Sequence, residues 1–204
     1  MNTLYRRSRR IPLTAAAAVA AAMLTCVVAQ ARAQVIAPPV PASLQVEAGH
    51  TAFLVAHARG TQDYICLLAL GGFEWTFFTP QATLFDDYGR QVITHFLSGN
   101  PFEQAKARAT WQHSQDTSAV WAATIASSTD SAFVAGDAIP WLLLRVVGAA
   151  DGTTLGGVLS ATTFVQRVNT RGGLVPAAGC KRSADVGVKA LVPYTADYVF
   201  YRHD

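Results

Sequence analysis

The residue types of a Ser-His-Asp triad stand within four positions of one another at His113, Ser114 and Asp116. Such groups normally meet through the fold rather than along neighbouring positions, so the run is a weak signal for acyl transfer. Asp86 and Asp87 are adjacent carboxylates, the pairing used in acid–base work. Neighbours on an extended chain point apart, however, and beside Tyr88-Gly89 the pair reads as a solvated turn. His57, His95 and His113 fall in strand-like runs, whereas His50 and His203 lie near loops or the chain end. No His-x-His or His-Glu-x-x-His spacing occurs, so each ring is read as hydrogen-bonded and partly buried, and no metal site is expected. Gly-x-Ser-x-Gly is absent, and so is a phosphate-binding glycine loop leading from a strand into a helix. Asp130 and Asp151-Gly152 lack the alternating carboxylates of a calcium loop. The sequence names no catalytic residue and implies no cofactor.

The densest polar stretch is Ala161–Cys180. Strand alternation places Val165, Arg167 and Asn169 on one face and Phe164, Gln166 and Val168 on the other, so both faces mix polar with apolar groups. A buried Arg167 or Gln166 must find partners. Asp197, on a face with Thr195, Val199 and Tyr201, is the obvious acid. If the two strands pair, Arg167 and Asp197 form a bidentate bridge. The competing use of Arg167, Asn169 and Asp197 is a ligand pocket, to which Trp111 and His113 are added as candidate binding residues. Of the four tryptophans, Trp141 sits in a strand apolar enough to be core, and Trp111 and Trp121 are the open candidates for stacking on a ligand.

The elements that must position these groups are strands. Thr51–Arg59 alternates and is broken at Gly60, and Tyr64–Leu70 and Glu74–Thr79 flank a Gly71-Gly72 turn. Ala82–Phe85 ends at the Asp86–Gly89 turn. Val92–Phe96, Ala109–His113, Val120–Ala126, Ile139–Val147, Leu159–Asn169 and Pro193–Arg202 follow. Pro140 is tolerated at a strand start. Helix signals are confined to Asn100-Pro101-Phe102-Glu103 and a possible single turn in Asp130–Ala138. Many short strands with Gly, Pro and Asp turns predict an all-β fold, an antiparallel sandwich or barrel with one or two short helical turns.

The first 33 residues read as a signal peptide. Arg6, Arg7, Arg9 and Arg10 precede an uncharged apolar run over Ile11–Val28, and Ala31-Arg32-Ala33 places cleavage before Gln34. Export by the general or the twin-arginine route stays open. From Gln34 the chain has 11 Lys and Arg against 13 Asp and Glu, a net charge of −2 where the whole chain has +3. The basic balance therefore belongs to the leader, and no cationic surface argues for nucleic acid. Residues 34–44 carry Pro38, Pro39 and Pro41 and read as an extended leader outside the core. Residues 45–204 are one β-rich domain with no membrane span after cleavage. Cys26 leaves with the signal, so Cys66 and Cys180 form an even pair, expected as a disulfide in an exported protein. Gly172-Gly173 permits the turn that brings Cys180 towards Cys66.

Several stretches, taken in order, resemble one family. They are Phe77-Phe78-Thr79-Pro80-Gln81-Ala82-Thr83-Leu84-Phe85, Arg108-Ala109-Thr110-Trp111, Ile139-Pro140-Trp141-Leu142-Leu143-Leu144, Phe164–Gly173 and Val192–Tyr201. This order is similar to that of domain of unknown function 3455, a family of exported bacterial and fungal proteins, with the likeness running from about Pro41 to Arg202. The resemblance implies an exported, β-rich, single-domain protein and carries over no activity, substrate or catalytic residue. It also implies the two cysteine positions, after Tyr64-Ile65 and after Gly179. One departure is Asp116-Thr117-Ser118, where many members have Asp-Gly-Ser.

The function expected from all of this is an exported, non-enzymatic β-domain of the cell envelope, periplasmic or secreted, that binds an unknown small ligand or an envelope partner. The alternative is a secreted or periplasmic hydrolase whose site joins His57, His95 or His113 to an acid.

Overall fold

The computed structural model describes residues 35–153 and 156–204, with Thr3 alone before them, and the rest of the expected signal segment lies outside the described residues. Eight strands occur among the described residues: β1 (His50–Ala69), β2 (Gly72–Phe85), β3 (Gln91–Asn100), β4 (Lys106–His113), β5 (Ala119–Ser128), β6 (Trp141–Ala150), β7 (Thr162–Gly172) and β8 (Lys189–His203). Each pairs antiparallel with the next, and β8 closes on β1 from His50↔His203 to Ile65↔Lys189. The fold is a closed antiparallel barrel, which removes the outermost sheet edges.

Alternation explains the inside. Ala56, Leu84, Ile93, Trp111, Val120, Leu144, Val165 and Tyr198 supply one side chain from each strand to a single buried cluster, so that cluster is the barrel interior. The residues of opposite parity on β6, β7 and β8, including Trp141, Leu143, Phe164, Val168, Val199 and Tyr201, form a second buried cluster on the outer wall. Leu44, Val134 and Ala138 cover it. The expectation that residues 34–44 stand outside the core is therefore corrected. Leu44, at the end of a 3-10 turn (Ala42–Leu44), is fully buried, and its carbonyl accepts a hydrogen bond from Gln166 Nε2 at 2.7 Å. Its apolar side chain and the need of Gln166 for a buried partner draw the segment onto the wall.

Gly60 does not break the first strand. β1 runs through it, because a Cβ there would sit 2.0 Å from the Gln81 carbonyl oxygen and only glycine lets β2 approach so closely. β2 and β3 then part. Their pairing ends at Ala82↔His95, after which β2 continues against β1 alone and β3 against β4 alone. Pro80 lies in this unpaired reach of β2, a place where a missing N–H costs no ladder bond to β3.

The short helical signal is a 3-10 turn over Pro101–Glu103, capped by the Asn100 side chain, which accepts from the Phe102 amide. Asp130 begins a single turn, its carbonyl accepting from the amides of Phe133 and Val134. Gly172 and Gly173 both have positive φ, at 68° and 80°, and Cys66 and Cys180 are joined by a disulfide with Cα atoms 5.5 Å apart.

Candidate functional site

The candidate binding residues separate into three places. Arg167 and Trp111 line a cavity inside the barrel. Asn169 and Asp197 lie outside it with His57. His113 belongs to a loop clasp at one end.

The expected Arg167–Asp197 bridge does not form. Cross-strand partners share a face, and Arg167 stands opposite Tyr198 while Asp197 stands opposite Val168. Arg167 and Tyr198 thus point inwards, and Asp197 points outwards. Asn169 leaves the inner face as well, because it sits in a β-bulge with φ of 52°, a left-handed conformation that asparagine tolerates.

The inner cavity, of about 280 Å³, opens where β2 and β3 part, and its walls come from all eight strands. Small side chains make the room: Ala107, Ala109, Ala122 and Ala123 line it. Aromatic groups form one wall. The Trp111 ring lies flat on His95, with centroids 4.3 Å apart and 9° between planes, and Tyr198 meets Trp111 edge-on at 5.5 Å. Trp111 is 1% exposed, so the expectation of an open tryptophan is corrected to a buried one that faces a cavity. His95 Nδ1–H donates to the Thr110 carbonyl at 2.8 Å. Burial, together with the charge of Arg167, pushes the His95 imidazole down to about 3, so the ring is neutral and its Nε2 keeps a lone pair.

Arg167 is 7% exposed. Its Nε and Nη2 donate to the Pro140 carbonyl at 3.2 and 2.8 Å, and the Tyr198 hydroxyl is a further partner. No carboxylate of the described residues comes within 4.0 Å of the guanidinium. Two more buried polar atoms of cavity-lining residues, Trp111 Nε1 and Gln62 Oε1, have no hydrogen-bond partner. Arg108, also in the lining, is neutralised by Glu103 through contacts of 2.8 and 2.6 Å. Gln62 and Tyr198 were missed by sequence reasoning. The parity that put Thr195, Asp197, Val199 and Tyr201 on one face already put Tyr198 on the other, beside Arg167.

On the outer wall, His57 is held between two carboxylates. Nδ1 lies 2.7 Å from Asp197 and Nε2 lies 2.9 Å from Asp87, while Asn169 Nδ2 donates to Asp197 at 2.8 Å. The hydrogen bond to Asp87, then that to Asp197, raises the His57 pKa above its ordinary value. Two carboxylate partners favour the doubly protonated ring, which has no lone pair with which to activate a nucleophile. Asp86 instead builds its turn, accepting from the Tyr88 and Arg90 amides.

His113 Nδ1 lies 2.9 Å from Asp116, and the same carboxylate accepts from the Ser118 amide, the Ser118 hydroxyl and the Val158 amide. Burial raises the Asp116 pKa, but these hydrogen bonds outweigh it and hold the group at about 2. The Ser118 hydroxyl donates to Asp116 rather than to His113, so the group fastens two loops together. Among the described residues, no histidine ring nitrogen hydrogen-bonds to a Ser, Thr or Cys side chain, and no group of three or more His, Cys, Asp or Glu is placed to hold a metal ion. Trp141 is buried in the outer cluster, and the half-buried Trp121 donates to Ser98 Oγ at 2.8 Å.

The chain belongs to the family described as protein of unknown function (DUF3455), whose model matches residues 47–202. Comparison with the curated proteins and with the solved structures gives no match. Among the described residues, no helix is long and apolar enough to cross a membrane.

Proposed function

We propose that this DUF3455 member is an exported barrel that binds a small ligand in the cavity beside Trp111, His95 and Arg167. The observation that carries the reading is the cavity itself: about 280 Å³ bounded by alanines and aromatic rings, with a few polar groups buried in its walls. That is the composition of a small-molecule site, apolar for affinity and sparsely polar for orientation. The way in is the parting of β2 and β3. A hollow of about 660 Å³ on that side, bordered by Thr61, Thr79, Thr83 and Thr94, shares His95 and Leu97 with the inner cavity. Export to the periplasm or the exterior is supported by the leader sequence, and the Cys66–Cys180 disulfide is consistent with an oxidising compartment. The hydrolase alternative draws less support, since His57 has both nitrogens on carboxylates and His113 serves a loop clasp.

The test uses N-phenyl-1-naphthylamine, a neutral dye that fluoresces in apolar sites. Saturable binding to the chain from Gln34 onwards is expected, with a loss of at least tenfold in affinity in Ala109→Phe, whose ring fills the cavity. An absence of saturable binding, or equal binding to folded Ala109→Phe, overturns the cavity reading.

A further inference from the structure

The charged groups around the cavity are not all paired. Arg167 brings a full positive charge into the cavity wall, where only 7% of the residue is exposed to solvent. Two of its hydrogen bonds go to one neutral oxygen, the Pro140 carbonyl. A guanidinium has five N–H donors in a planar fork, and these contacts with the Tyr198 hydroxyl leave part of the fork unused. Buried charges are ordinarily paired, because an unpaired ion in a low-dielectric site costs several kcal/mol.

No carboxylate of the described residues forms an ion pair with Arg167. Arg108 already has Glu103 as its own partner. His95 is neutral and contributes no charge of either sign. Asp63, on β1, is the buried carboxylate of this part of the barrel. Its Oδ2 accepts from Gln81 Nε2 at 2.9 Å, its Oδ1 has no partner, and it lies beyond 4.0 Å of Arg167. The cavity is therefore a largely apolar space with one uncompensated fork of donors, a second unpartnered donor in its lining at Trp111 Nε1, and a neutral acceptor at Gln62 Oε1.

We infer that the ligand of this cavity is a small hydrophobic carboxylate whose acid group is received by Arg167 and whose aromatic or alicyclic body lies among Trp111, Leu142 and the alanines. This rests on the cavity reading proposed above. The planar guanidinium fork matches a carboxylate in a way that a lysine or a lone amide does not, and the pairing is strongest where water is excluded. The volume of about 280 Å³ limits the body to two or three rings.

The experiment is a displacement titration of bound N-phenyl-1-naphthylamine with two isosteres, 1-naphthaleneacetate and 1-naphthaleneacetamide. They differ in charge and hardly in size. Wild type is expected to take the acid at least tenfold more tightly than the amide, and Arg167→Met to lose that preference while still binding the dye. Equal displacement by acid and amide in wild type overturns the inference and leaves the cavity reading standing. A dye that does not bind, or that binds folded Ala109→Phe unchanged, overturns both. A preference for the acid that survives in folded Arg167→Met also overturns the assignment to Arg167. Should that variant not fold, Arg167→Lys replaces it: a point charge on a longer-range contact is expected to cut the preference several-fold, and an unaltered preference counts against the guanidinium.

Discussion

Reducing the Cys66–Cys180 disulfide should cost this protein a large part of its stability. The two cysteines are separated by 114 positions, so the bond closes most of the barrel domain into one loop. In the chain-entropy relation, a loop of that length removes about 16 cal/mol/K from the unfolded ensemble, or about 4.8 kcal/mol at 25 °C. A chain of this size shifts its melting temperature by roughly 2–4 °C per kcal/mol, which predicts a fall of about 10–20 °C. The bond has a second, local role. It fastens the segment between β7 and β8, where the Cys66 amide donates to Val188, the Gly187 amide donates to the Cys66 carbonyl, and Trp75 Nε1 donates to Ala178 at 2.8 Å. The assay is thermal unfolding of the oxidised protein with and without reductant, followed by the Cys66→Ala/Cys180→Ala double variant in the absence of reductant. The two losses should agree to within the small cavity cost of removing the sulfurs. A fall of less than about 3 °C on complete reduction would refute the reasoning and place the stability of the barrel in its strand pairing alone.

Four further outcomes are expected. His95 is neutral in the folded state, where burial holds it at about 3, and titrates near its ordinary value of about 6.5 when unfolded; stability should therefore fall as pH drops from about 6.5 towards 3, and His95→Gln should flatten the melting-temperature profile across that window. His57 acts with the opposite sign: its raised pKa contributes stability that is present below about 6.5 and is lost as pH rises through the folded value, so His57→Gln should leave a wild-type-like profile at high pH and a deficit at low pH. Thr117 holds φ of 60°, a left-handed conformation that glycine adopts without strain, and Thr117→Gly should raise stability by about 1 kcal/mol in a denaturant titration, net of the Oγ1 contact with the Thr153 amide; a loss of stability would show that contact to matter more than the strain. Leu44→Ala should cost about 2–5 kcal/mol in the same titration, as for a fully buried leucine, whereas an indifferent result would mean that the segment before β1 is not part of the folded unit.

The strands were legible because their alternation is a local signal, and turn chemistry marked most of their ends. Closure was not, because it depends on β1 meeting β8 at the far end of the chain, and no local pattern records that pairing. Gly60 misled for a related reason: a glycine that admits a neighbouring backbone is spelled the same way as one that ends a strand. In β7 the sequence was ambiguous at a deeper level. Residues 164–168 are all buried, because the barrel interior takes one face and the cover around Leu44 and Trp141 takes the other. With both faces buried, polarity cannot say which one is inside.

That ambiguity is also why Arg167 was paired with the wrong acid. The pattern put it on one face with Asn169, and Asn169 does meet Asp197, but only after the bulge has turned it outwards. Two polar residues of one stripe thus end on opposite sides of the wall. The outer one joins a satisfied set: Asn169, Asp197, His57 and Asp87 are linked in sequence by contacts of 2.7 to 2.9 Å. At the end of the barrel Asp116 gathers a similar set, and Glu103 does so for Arg108. In these three sets each charged group is given a partner. Arg167 departs from that habit in the place where an unmatched charge is least tolerated, within a cavity whose size and aromatic lining suit a small molecule. Stability alone would favour an apolar residue there. The difference between the matched charges of the wall and the unmatched charge of the interior is what points to a ligand that brings the missing anion with it.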